Sequence, residues 1–256
     1  MNNLFDLNGR VAVVTGGNGG IGLGMARGLA ADGASIAIVG RNSQKTLDAA
    51  AQIAIENEIK CVGFVADISE PEQVGGLVEA ILAQFGRIDI LVNNAGINIR
   101  KRPDVMTLDE WNEVIRVNLT GSFMMAKAVY PAMKQQKSGK IINIGSMTSI
   151  FGAAFAPAYA ASKSGVVQLT KSLALAWAAD GIQVNCILPG FIETDLTDKA
   201  RVEVPEVYEK VVGRIAAGRW GRPDDLAGTA VWLASRASDY VTGVAVAVDG
   251  GYSSAV

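Results

Sequence analysis

Residues Arg10 to Gly22 read Arg-Val-Ala-Val-Val-Thr-Gly-Gly-Asn-Gly-Gly-Ile-Gly. An apolar run of strand character passes into a glycine cluster, and the glycines open a segment with helical patterning. Glycine tolerates positive φ and lets backbone amides approach a pyrophosphate at the positive end of a helix. Two spacings fit the cluster. One is G-x-G-x-x-G through Gly17, Gly19 and Gly22; the other is T-G-x-x-x-G-x-G from Thr15 through Gly16, Gly20 and Gly22. Glycines alone would also suit a flexible turn. Their place after a strand and before a helix, at the head of a βαβ unit, points to dinucleotide binding.

The same alternation continues outward from this turn. Short β-rich apolar runs fall at 10–15, 34–39, 60–66, 88–93, 139–145, 182–188 and 244–248. They are near-continuous in Val and Ile, as strands buried on both faces should be. Helical patterns lie between them at 20–32, 43–57, 71–85, 108–136, 157–180 and 223–235. Strand–helix alternation specifies a parallel sheet with right-handed crossovers, hence a single doubly wound α/β domain of about seven strands with helices on both faces. No composition shift, repeat or linker divides residues 1–256. The segment 190–218 is irregular and charged, and long connections of that kind often cover substrates.

Composition narrows the chemistry. The chain has 256 residues, is 50% hydrophobic and 19% charged, and carries a net charge of −2, without the basic surplus a nucleic-acid partner requires. No apolar stretch is long enough to cross a membrane, and the N-terminus lacks a basic segment followed by an apolar one. Cys61 and Cys186 are the two cysteines, and both are expected to be buried, reduced thiols of a cytoplasmic protein. There is no histidine. That excludes Ser-His-Asp hydrolysis, Cys-His thiol chemistry and His-bearing zinc sites, and no metal site is expected. Tyr, Lys, Asp and Glu remain as acids and bases.

Tyr159 and Lys163 stand four residues apart in a helical segment, so they share a face. An ammonium held there favours the phenolate and lowers a tyrosine pKa that is ordinarily about 10. At the end of the second strand, Gly40-Arg41-Asn42 lacks the acidic residue that would bind the 2′-hydroxyl of NAD. Arg41 suits the 2′-phosphate of NADP instead, so NADP(H) is the expected cofactor, with use of NAD(H) left open.

With these motifs in order, the chain resembles the short-chain dehydrogenase/reductase family over nearly its whole length. The resemblance also rests on Asp67, Asn93-Asn94-Ala95-Gly96, Asn118, Ser146, Tyr159-Ala-Ala-Ser-Lys163, Pro189-Gly190 with Thr194, and Val248-Asp249-Gly250-Gly251. It implies that Gly16, Asn18, Gly19, Gly20, Ile21 and Gly22 hold the cofactor, together with Arg41 and Asn42. By the same resemblance Asp67 and Ile68 hold the adenine, Asn94, Ala95 and Gly96 line the cleft, and Pro189, Gly190, Ile192 and Thr194 flank the nicotinamide. Ser146 would hydrogen-bond the substrate oxygen, and Tyr159 would move its proton. Lys163 would bind the nicotinamide ribose and depress the Tyr159 pKa, and Asn118 would hold a water linking Lys163 to solvent. The implied activity is interconversion of a secondary alcohol and a ketone by hydride transfer.

For the substrate, Arg100-Lys101-Arg102 follows the fourth strand on the ligand-binding side of such a sheet and could receive a carboxylate or phosphate. A solvated basic turn is the plainer alternative. Arg100 and Arg102 are the candidate anchors, beside Ser146 and Met147. Ile150, Phe151 and Phe155 offer apolar walls from the loop after Ser146, and Phe191, Leu196 and Tyr208 from 190–218. The texture is most similar to the gluconate and deoxygluconate dehydrogenase branch, which implies a sugar acid or uronate. A 3-oxoacyl-thioester reductase, a broad-range ketone reductase and a non-catalytic dinucleotide-binding protein are the alternatives. The resemblance also implies a homotetramer, paired through the helices at 108–136 and 157–180.

Overall fold

The computed structural model of the protein describes residues 3–194 and 205–254. Seven strands form one parallel sheet: β1 (Val11–Thr15), β2 (Ser35–Gly40), β3 (Cys61–Val65), β4 (Ile90–Asn93), β5 (Gly139–Ile144), β6 (Ile182–Pro189) and β7 (Ala245–Val248). Their order is β3-β2-β1-β4-β5-β6-β7. All seven predicted strands form, each within two residues of its expected bounds.

Alternation along each strand builds two cores. Ala12, Val14, Ile36 and Ile38 pack on one face against Met25 and Leu29 of α1 (Gly20–Ala31), Ile53 of α2 (Ser43–Asn57) and Leu233 of α8 (Ala227–Ala234). Val13, Ala37, Val39 and Leu91 pack on the other. There they meet Leu77 and Ile81 of α3 (Pro71–Phe85), Met125 and Val129 of α5 (Gly121–Gln136), and Leu173 of α6 (Pro157–Trp177). The outer strands depart from the expected two-sided burial. β3 is half-buried along most of its length and β7 alternates exposed with half-buried, because each has a neighbour on one side only. Cys61 on β3 is consequently half-buried rather than buried, whereas Cys186 on β6 is buried; both are free thiols.

Three helical expectations change in detail. The long helix predicted over 108–136 runs as α4 (Leu108–Ile115), a π-helical segment at Arg116–Thr120, and α5. The pattern at 223–235 is a 3₁₀ turn at Pro223–Leu226 followed by α8. Within the stretch expected to be irregular, Pro205–Arg214 is a helix, α7.

The order reverses between β1 and β4, whose connections leave toward opposite faces, and this opens a crevice at their carboxyl ends. Thr15 and Asn94 staple it. Thr15 Oγ1 donates to Val92 O at 3.2 Å and accepts from Asn94 N and Ala95 N at 3.0 and 3.1 Å. Asn94 Nδ2 donates to Thr15 O and Gly16 O at 3.0 and 3.1 Å.

Candidate active site

A cleft of about 900 Å³ opens at this switch point, and almost every predicted site residue lines it. At its floor the glycine turn takes the Gly16, Gly20, Gly22 reading. Gly16 and Gly20 have φ of 63° and 51°, values that side-chain-bearing residues rarely adopt. A Cβ on Gly22 would lie 2.3 Å from Gly16 O and 2.4 Å from Asn94 Nδ2. Gly20 faces Thr194 across the turn, where an added Cβ would come 3.3 Å from Thr194 Cγ2. Gly19 precedes α1, so the free N–H groups of the first helical turn meet the cleft.

One end of the cleft is cationic. Arg41 Nη1 stands 3.6 Å from Asp67 Oδ2. Burial works to raise the Asp67 pKa, but hydrogen bonds from Ser69 and the Arg41 and Arg116 charges together hold it below the usual carboxylate range. Asn42 caps α2, its Oδ1 accepting from Lys45 N at 2.9 Å. Lys45 also lines the cleft, which the sequence reading missed; it follows Arg41 by four residues. Ile68 lines the adjoining wall.

The opposite end carries Ser146, Tyr159 and Lys163. Ser146 caps a 3₁₀ turn at Met147–Ser149, its Oγ accepting from Thr148 N at 3.1 Å. Ser146 lies beside Tyr159, and its hydroxyl acts to lower the Tyr159 pKa. Tyr159 lies in the first turn of α6, which begins at Pro157. Lys163 is one turn on, with Nζ 5.7 Å from the Tyr159 ring centroid.

Burial is the largest influence on both members of this pair. Lys163 Nζ donates to Ile144 O at 2.7 Å, and burial pushes its pKa down to about 8. Burial pushes Tyr159 above its ordinary value, while the Ser146 hydroxyl and the charge of Arg100 act to lower it.

Asn118 sits in the π segment, fully buried. Its Oδ1 accepts from Ile97 N at 2.8 Å, while Nδ2 donates to Ile97 O and Ser162 Oγ, both at 3.0 Å. Ser162 Oγ in turn donates to Tyr159 O at 2.8 Å. The amide thus clamps the loop after Gly96 to the first turn of α6. Both its amide donors are committed to protein. The π-helical register is what turns Asn118 inward, a frequent use of such segments at functional sites.

Of the basic triplet, only Arg100 lines the cleft. Arg102 does not: its Nε pairs with Asp104 Oδ1 at 2.9 Å, and it is an exposed turn residue. Lys101 pairs with Glu110 at the head of α4. Met147, Phe151, Phe155 and Phe191 line the cleft as expected, as do Pro189, Gly190 and Ile192. Ile150 is exposed outside it, and Leu196 and the side chain of Tyr208 lie outside the described residues. Tyr252, Asn98 and Thr148 were not anticipated. Tyr252 packs edge-on to Phe191 and Phe151, with ring centroids 5.1 and 6.1 Å away. Among the described residues, no group of three or more His, Cys, Asp or Glu could hold a metal ion, and no helix is long and apolar enough to cross a membrane.

Comparison with known proteins agrees with this geometry. A family model described as enoyl-(acyl carrier protein) reductase matches residues 16–253. The 2-dehydro-3-deoxy-D-gluconate 5-dehydrogenase of Bacillus subtilis (strain 168) is 44% identical over 254 residues, covering 99% of this chain and 98% of its own. The 3-oxoacyl-acyl-carrier-protein reductase of Thermotoga maritima is 39% identical, covering 96% and 98%. A crystal structure of a gluconate 5-dehydrogenase from Burkholderia cenocepacia J2315, in complex with NADP and tartrate, superposes with a TM-score of 0.94 at 43% identity, covering 99% of this chain and 98% of that one.

Proposed function

Because this chain belongs to the short-chain dehydrogenase/reductase family, we propose that it is an NADP(H)-linked oxidoreductase interconverting a secondary alcohol and a ketone on a sugar acid. The observation that carries the reading is the meeting of Ser146, Tyr159 and Arg100 at one end of a cleft whose other end is a glycine cradle. The cradle fits a dinucleotide: the space beneath Gly22 admits no Cβ, Gly16 and Gly20 hold left-handed φ, and a helix N-terminus points at the phosphate position. A nicotinamide bound there supplies or accepts the hydride.

This chain's own residues do the rest. In reduction, the Ser146 hydroxyl donates to the substrate carbonyl oxygen, and Tyr159 Oη gives that oxygen its proton; in oxidation, Tyr159 takes the alcohol proton back. Lys163 holds the ribose hydroxyls and moves protons to and from Tyr159. Asn118 positions the first turn of α6 through Ser162. Arg100 receives the substrate carboxylate and stabilises the phenolate form of Tyr159. Met147, Phe155 and Phe191 exclude water from the reacting carbon.

Preference for NADP(H) rests on Arg41, tethered beside Asp67, and on Lys45 near Gly19. An added Cβ on Gly19 would lie 3.0 Å from Lys45 Nζ. Two cations with no acidic residue at the end of β2 suit a 2′-phosphate. The NADP and tartrate of the Burkholderia complex support both cofactor and substrate class, since tartrate is a hydroxy acid. A 3-oxoacyl-thioester reductase remains the second reading, favoured by the Thermotoga relative and the apolar walls. We further propose a cytoplasmic homotetramer. Leu108, Phe123 and Leu175, on α4, α5 and α6, are exposed at 72%, 42% and 86%, and burying such side chains would favour pairing with a second copy.

A screen following consumption of reduced nicotinamide tests the proposal. With NADPH preferred over NADH, keto sugar acids should turn over faster than neutral ketones or β-keto thioesters. Arg100→Gln should raise KM for the acids about tenfold or more and leave neutral ketones nearly unchanged. Preference for thioesters, or equal loss on acids and neutral ketones, would sink the sugar-acid reading.

A further inference from the structure

Two polar atoms in the cleft are buried and make no hydrogen bond among the described residues: Asn98 Oδ1 and Thr148 Oγ1. Buried polar atoms are paired in the great majority of cases, so an unpaired one needs a reason. Two at the reacting end of one cleft, neither used in moving the proton, ask for a common reason.

Their backbones are fixed. Asn98 follows Ile97, whose N–H and C=O are both held by the Asn118 amide. Thr148 sits in the turn capped by Ser146, and its own N–H donates to Ser146 Oγ at 3.1 Å. Asn98 extends from the loop after β4, and Thr148 from the loop after β5, whose strands are neighbours in the sheet. The two residues therefore line the cleft from adjacent loops, with Ser146 and Tyr159 lining the same cleft.

We propose that Asn98 and Thr148 are specificity-determining residues that hydrogen-bond hydroxyl groups on the substrate carbons flanking the reacting carbon. Asn98 Oδ1 accepts from a substrate hydroxyl. The Thr148 hydroxyl, free to rotate, donates to one or accepts from it. A hydroxylated chain satisfies both atoms on binding. A chain bearing hydrogen at those carbons leaves them buried and unpaired, and sites built to bond a hydroxyl reject such analogues strongly. The inference rests on the proposed reduction of a hydroxylated ketone and is independent of the carboxylate assigned to Arg100.

The test uses two matched pairs with NADPH: a polyhydroxylated six-carbon keto acid against 5-oxohexanoate, and a neutral ketose against 2-hexanone. Asn98→Ala and Thr148→Val are each expected to lower kcat/KM on the hydroxylated member of both pairs by about tenfold, chiefly through KM. The deoxy members should change less than about twofold, and NADPH affinity and the pH profile should stay put. Thr148→Ser should restore most of the loss. Equal losses on both members, loss on neither, or a wild-type protein that favours the deoxy members would overturn the inference. A wild type indifferent to the carboxylate would count against the sugar-acid reading alone, because the neutral pair still reports on Asn98 and Thr148.

Discussion

At the scale of single residues, opposing influences set the proton affinity of the Tyr159 hydroxyl. Burial raises the Tyr159 pKa, while the Ser146 hydroxyl and the Arg100 charge lower it. Reduction needs the phenol and oxidation needs the phenolate, so reduction should fade and oxidation rise as pH climbs through this pKa. Removing the Arg100 charge removes one of the lowering influences. Arg100→Gln should therefore move the rising limb of the oxidation profile, measured on a neutral alcohol, to higher pH. A shift to lower pH, or none, would show that Arg100 does not act on Tyr159. The basic triplet also illustrates what a sequence leaves open. Three consecutive cations mark a site region, but the turn around Asp104 and the helix cap at Glu110 draw Arg102 and Lys101 outward and leave Arg100 facing in.

At the scale of elements, the β1–α1 turn is the least forgiving part of the chain. A methyl group on Gly22 would overlap Gly16 O and press on Asn94 Nδ2, which pins β1 to the β4 loop. Gly22→Ala should weaken NADPH binding about tenfold or more in a fluorescence titration, because the cradle must open to admit the methyl. Unchanged affinity would mean that the cradle does not hold the cofactor. The strands were legible because a parallel sheet covered on both faces needs nearly unbroken apolar runs, as in β1 and β4. The π segment was not legible. It accompanies the clamp of Asn118 on Ile97 and Ser162, contacts made across 21 and 44 residues that no local pattern encodes. Helix α7 escaped notice because its charged sequence reads as loop without a partner to define its inner face. Lys45, in the first turn of α2, was hidden for a similar reason: its use depends on how that helix sits against Gly19.

At the scale of the whole molecule, the sheet order converges loops from β1, β2, β4, β5 and β6 on one crevice. The general location of the candidate site was therefore readable from motif order, while cleft-lining details such as Asn98, Thr148 and Tyr252 depend on loop conformation. The exposed apolar side chains of α4, α5 and α6 carry a further expectation. Light scattering should give four times the chain mass, and Phe123→Glu with Leu175→Glu should reduce it; a single-chain mass for the unaltered protein would refute the tetramer. The central claim is that Tyr159 moves the proton in an NADP-linked alcohol–ketone interconversion. Tyr159→Phe keeps the ring and removes only the hydroxyl. The variant should bind NADPH with wild-type affinity and lose turnover of the keto sugar acid by about 10²–10⁴-fold. Full turnover with bound NADPH would contradict the account.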